Sequence, residues 1–145
     1  MLVSFLALSF TFLSCGDDDG SLKLRGTSWV YSLTKAEMAA AFETTEAQVD
    51  QMLASAGAPG TLNWPLPYQK LEFPSDNDFT LYYNPGYYLS NTPTWEEGYT
   101  GTYTISGNTV TLNFSVFNVS RTCTVRGRTL TLTNDDGTTT RFQKQ

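Results

Sequence analysis

The stretch "YTGTYTISGNTVTLNFSV", residues 99–116, decides the fold. Val110, Leu112, Phe114 and Val116 alternate with Thr109, Thr111, Asn113 and Ser115, and Tyr99, Tyr103 and Ile105 alternate with Thr100, Thr102 and Thr104. A period of two sends alternate side chains to opposite faces of a strand. Each strand therefore has one face for a core and one for water, and the β-branched threonines suit the wet face. Between the two runs, "SGN" at 106–108 carries the Gly and Asn of a tight turn, so the segment is an antiparallel hairpin.

Working outward, the same period marks eight strands, at 27–33, 68–73, 78–83, 99–105, 109–116, 119–126, 129–133 and 138–143. "SDND" at 75–78, "RGR" at 126–128 and "NDDG" at 134–137 separate them. Sequential hairpins with one apolar face each form a meander, and closing it into an up-and-down barrel removes both exposed edges. The inward candidates are large: Trp29, Tyr31, Phe73, Phe79, Tyr83, Tyr99, Tyr103, Phe114 and Phe142. An eight-stranded barrel is wide enough to be filled by such side chains or to hold one small ligand, and the pattern leaves both outcomes open. Cys123 shares a face with Val119 and Val125 and reads as a small core residue.

One segment breaks the alternation. "KAEMAAAFETTEAQVDQMLASAG", residues 35–57, is rich in helix formers. Val49, Met52, Leu53 and Ala56 form one apolar stripe, Thr45 and Gln48 have capping-box spacing, and Gly57 with Pro59 supplies a stop. A helical insertion over about 35–56, split near residue 44, is expected across one end or flank of the barrel. Met52 and Leu53 are then candidates for the approach to its interior.

The other end of the chain reads as an address. "MLVSFLALSFTFL", residues 1–13, is uncharged and shorter than the roughly 20 residues a membrane helix needs. It has the length of a leader's apolar region. It runs into "FLSCGDDDG", residues 12–20. "FLSCG" resembles the lipobox of bacterial lipoproteins, which implies a signal peptide over 1–14 and acyl chains on Cys15. Residues 15–24 would be an acidic linker to a domain over 25–145. The aspartates after Cys15 resemble the export signal of surface lipoproteins of Bacteroidota, which implies the outer membrane and its exposed face. The partner implied is thus a membrane, reached through acyl chains.

The domain itself resembles the lipocalin-like, calycin-type lipoprotein domains of Bacteroidota. "LRGTSW" at 24–29, "GTYTISGNTVTLNF" at 101–114 and "GRTLTLTNDDGTTTRF" at 127–142 carry the resemblance. It implies that Gly26 and Trp29 belong to a structural signature closing one barrel end, with Arg141, a basic residue of the last strand, lying across the Trp.

The chain has 145 residues, a net charge of −5 and no histidine. An acidic chain without a Lys/Arg cluster lacks the footprint of a nucleic-acid binder, so no nucleic-acid partner is expected. Without histidine, Ser/His/Asp and Cys/His nucleophiles and His-ligated zinc are excluded. No catalytic residue, metal or cofactor is expected. Binding then has two candidate places. One is the barrel interior or its mouth, for a small apolar molecule. The other is "LYYNPGYYLSNTPTWEEGY", residues 81–99, where Tyr82, Tyr87, Tyr88 and Trp95 offer flat rings to a glycan or protein partner, or else fold over the barrel end as a plug.

Overall fold

The computed structural model describes residues 21–145. The leader, Cys15 and the first part of the acidic linker lie outside the described residues. Eight antiparallel strands form one closed barrel in sequence order: β1 (Thr27–Leu33), β2 (Leu66–Phe73), β3 (Asp78–Tyr83), β4 (Glu96–Ser106), β5 (Thr109–Phe114), β6 (Val119–Arg126), β7 (Thr129–Thr133) and β8 (Thr139–Lys144). Two short helices, α1 (Lys35–Ala41) and α2 (Glu46–Ser55), stand between the first two strands. The alternating pattern is thus read out as an all-β up-and-down barrel. Its outer face carries rows of threonines, such as Thr104, Thr111 and Thr122 on adjacent strands, which pair across the ladder.

Because the strands alternate in direction, the barrel has two different ends. At one, β2–β3, β4–β5 and β6–β7 turn tightly, with Gly107 and Gly127 in the left-handed region. This end is plugged. Leu24, Trp29, Phe73, Val110, Leu130 and Phe142 are all fully buried. The Trp29 indole N–H donates to Thr27 Oγ1 at 2.8 Å, and Thr27 in turn donates to the Leu24 carbonyl. Lys144 Nζ lies 5.9 Å from the centre of the Trp29 ring. The basic residue across Trp29 is therefore Lys144 and not Arg141: β8 alternates, so Arg141 points outward on the opposite face from buried Phe142.

Several strand boundaries differ from those expected, β2 for instance starting at Leu66, and two of them move for steric reasons. β4 starts at Glu96 because a bulge at Gly98 lets the strand bend around the ring of Tyr83, which occupies the space a side chain there would need. β5 ends at Phe114, and Val116 is 70% exposed rather than inward, because residues 115–118 turn through Asn118 at φ 51°. Asn is among the few residues that enter this region readily.

Gly101 has no such freedom. A Cβ there would collide with the Asn113 carbonyl of the paired strand and the ring of Phe79. Gly101→Ala is expected to lower stability in urea by about 1–3 kcal/mol, the range for forced overpacking. Gly60→Ala, made in open space, is expected to change it by less than about 0.5 kcal/mol.

Candidate functional site

The end of the barrel opposite Trp29 is open. Between the inward side chains lies a cup of about 420 Å³, lined by Gln69, Leu81, Tyr83, Tyr99, Phe114, Phe117, Val119, Arg121, Leu132, Asn134 and Thr140. The aromatic series therefore gives a divided interior: Trp29, Phe73, Phe79, Tyr103, Phe114 and Phe142 are buried, whereas Tyr31, Tyr83 and Tyr99 are half-buried. Tyr99 stands edge-on to Phe114 and to Phe117 at the rim, with ring centres 6.3 and 5.1 Å apart. Val119, on the Cys123 face, is 37% exposed because it sits at this mouth.

Polar side chains share the wall. Asn134 donates to Thr138 Oγ1 at 3.0 Å and Thr140 Oγ1 at 3.2 Å. Arg121 lies over the Phe114 ring at 5.9 Å and reaches Asp135 at 2.7 Å through Nη2. Burial, together with the Tyr99 and Tyr68 hydroxyls, raises the Tyr83 phenol above its ordinary value, against the lowering effect of Arg121. Tyr83 is therefore a neutral hydroxyl in the cup at ordinary pH. Below it, burial pushes the Cys123 thiol up to about 12, which leaves it without nucleophilic character.

The helices do not roof this cup. Both begin in capping boxes, Thr34 with Glu37 and Thr45 with Gln48. Their buried side chains, Met38, Ala39, Val49 and Leu53, make a separate small core with Leu33, Leu62, Trp64, Tyr87 and Tyr88 around it. Leu53 faces that core and Met52 is 43% exposed, so neither guards an entrance to the barrel. A run of ring contacts connects the two cores: Phe142 to Tyr31 at 6.0 Å, Tyr31 to Tyr68 at 6.2 Å, Tyr68 to Tyr87 at 5.1 Å and Tyr87 to Tyr88 at 5.2 Å. Tyr68 is the extra residue of a bulge, where the register shifts between Tyr31 and Ser32.

The 82–99 segment is likewise divided. Tyr87 and Tyr88 pack against the helices, while Tyr82 lies on the outer barrel wall with Trp95. Lys70 sits between this outer pair, 4.4 Å from the Tyr82 ring and 5.3 Å from the Trp95 ring, and binds Glu72 at 2.7 Å. The four rings neither form one platform nor plug the mouth. The residue that shapes the loop is Asn84, which is 2% exposed. Its amide donates to the Pro67 carbonyl at 2.9 Å, its Oδ1 accepts from the Thr94 N–H at 3.3 Å, and its own N–H donates to the Tyr68 carbonyl at 3.0 Å. Farther along, Asn91 accepts from the Asn63 N–H and donates to the Thr61 carbonyl, pinning the loop to the insertion.

Arg141 opens onto an outer crevice instead, beside Tyr31, Glu37 and Gln143, where β1 and β8 part after pairing at Trp29 and Val30.

Asn84→Ala leaves the part-buried Pro67 carbonyl and the Thr94 N–H without this partner, and is expected to cost about 1–3 kcal/mol in a denaturant titration. Asn84→Asp, which keeps the acceptor but sets a carboxylate against the Pro67 carbonyl, is expected to be no better. No protein-family model, curated protein or solved structure matches this chain.

Proposed function

We propose that this chain is a non-enzymatic binding protein of the bacterial envelope, held at the outer membrane by acyl chains on Cys15, which takes a small, largely apolar molecule into the cup at the barrel mouth. The cup itself is the observation that carries this reading. Its volume, about 420 Å³, falls in the range of about 300–1,000 Å³ typical of small-molecule sites. Its floor and rim are apolar, with Leu81, Phe114, Phe117 and Leu132, and a few polar groups stand between them. That mixture orients a ligand as well as burying it. An interaction surface on the 82–99 rings has weaker support, since Lys70 covers one pair and the helices hold the other.

The anchor rests on the order of residues 1–19, with an uncharged apolar run, Ser14, Cys15, and then three aspartates. One acyl chain gives only marginal membrane binding, so stable attachment calls for more than one.

Two measurements check these points. The neutral dye N-phenyl-1-naphthylamine is expected to bind saturably with rising fluorescence. Thr140→Phe, which fills the cup from β8, is expected to weaken it at least about tenfold, or roughly 1.4 kcal/mol, with little change in melting temperature. Absence of saturable binding, or equal binding by the variant, would sink the cup reading. Separately, Cys15→Ser is expected to move the protein from the membrane fraction of an expressing bacterium to the soluble fraction and to abolish fatty-acid labelling; unchanged labelling rejects the anchor.

A further inference from the structure

Arg121 stands out among the groups that line the cup, because it is the only charged side chain there among the described residues, in a protein whose net charge is −5. Its guanidinium is also incompletely satisfied. Nη2 binds Asp135, but Nε is buried and has no hydrogen-bond partner. A dry N–H without an acceptor has given up its water without recovering a hydrogen bond. Asp135 compensates poorly, since its side chain is 70% exposed on the β7–β8 turn, where water screens the pair. Arg121 itself is one-third exposed, which gives the guanidinium room to turn toward the cup. Tyr83 does not supply a second counter-charge, because burial keeps its phenol neutral.

We infer that the ligand of the cup is an amphipathic anion, a small molecule with an apolar body and a carboxylate that pairs with Arg121. This rests on the cup being the binding site. The apolar body lies against Phe114, Tyr99 and Phe117. The carboxylate brings the acceptor that Nε lacks and shares or displaces the contact to Asp135. An uncharged molecule of the same shape buries the same surface and offers Nε at most a neutral acceptor, which forms the weaker bond.

The test compares 2-naphthoate with its neutral analogue 2-naphthamide by calorimetry at neutral pH, using the protein, Arg121→Gln and Asp135→Asn. The carboxylate is expected to bind at least about tenfold more tightly than the amide, as a charge-assisted hydrogen bond allows. Arg121→Gln is expected to bring the two to within about twofold, because the charged partner is gone. Asp135→Asn, made at an exposed position that leaves the fold intact, is expected to tighten naphthoate several-fold and leave naphthamide unchanged. Equal binding of the two probes to the unaltered protein overturns the assignment of Arg121 while leaving the cup as a neutral site. A preference that survives Arg121→Gln, or is unmoved by Asp135→Asn, also overturns it. If neither probe binds, the cup reading falls and this inference falls with it.

Discussion

Eight strands closed into a cylinder fix the width of the interior before any side chain is placed. The volume that remains is then decided by which alternate residues point inward, and here the large ones are distributed unevenly along the axis. Trp29, Phe73, Phe79 and Phe142 fill the end where the turns are tight. Toward the other end the inward positions fall to Gln69, Val119, Arg121, Asn134 and Thr140, which are too short or too polar to close the space. The cup is thus a consequence of sequence order along eight strands. It needs no distortion of the barrel.

The plugged end depends on a short chain of contacts. Leu24 tucks beneath the first strand, the Leu24 carbonyl accepts from Thr27, Thr27 accepts from the Trp29 indole, and Lys144 lies over the ring. The seam between β1 and β8 is paired only at Trp29 and Val30, with the Gln145 N–H adding one bond to the Ser28 carbonyl. Closure is therefore concentrated at the end that Trp29 seals. At the mouth, order comes from elsewhere: Asn84 holds the long β3–β4 loop to β2, Asn91 holds it to the insertion, and Tyr87 packs on the core of the helices. These ties keep the loop and helices beside the opening, packed on a core of their own.

Much of this was legible in the alternation. Period two marked all eight strands, and the turn residues placed the hairpins. The Thr45–Gln48 box marked the start of α2. What the pattern did not disclose has identifiable causes. Bulges at Gly98 and Tyr68 change the register by one residue, and a bulge depends on what packs against it, here the Tyr83 ring and the neighbouring tyrosines. The role given to Arg141 came from a resemblance and conflicts with its own register, because it alternates with Phe142 and must face outward; Lys144 has the inward parity. The same rule contained the signal for the cup. Arg121 shares the parity of Cys123 and Val125, and Asn134 and Thr140 stand beside inward Leu132 and Phe142. A polar residue at an inward position marks where a barrel stops being solid.

The position of Arg121 also resolves an apparent conflict between an acidic protein and the anionic ligand proposed for its cup. Net charge acts at long range, and at physiological ionic strength its field is screened over about 8 Å. Beyond that distance the surplus of carboxylates does little to a monovalent ion, and it offers no steering toward the mouth. Inside the cup the balance reverses, since the wall is mostly apolar, the local dielectric is lower than that of water, and Arg121 is the one formal charge on the wall among the described residues. Affinity there is decided by contact: an apolar body on Phe114 and Tyr99, and one acceptor for an N–H that the protein leaves unpaired. Such a site discriminates by rewarding the molecule that brings a charged acceptor, because the cost of the unpaired Nε is already present in the free protein and a neutral molecule relieves it less.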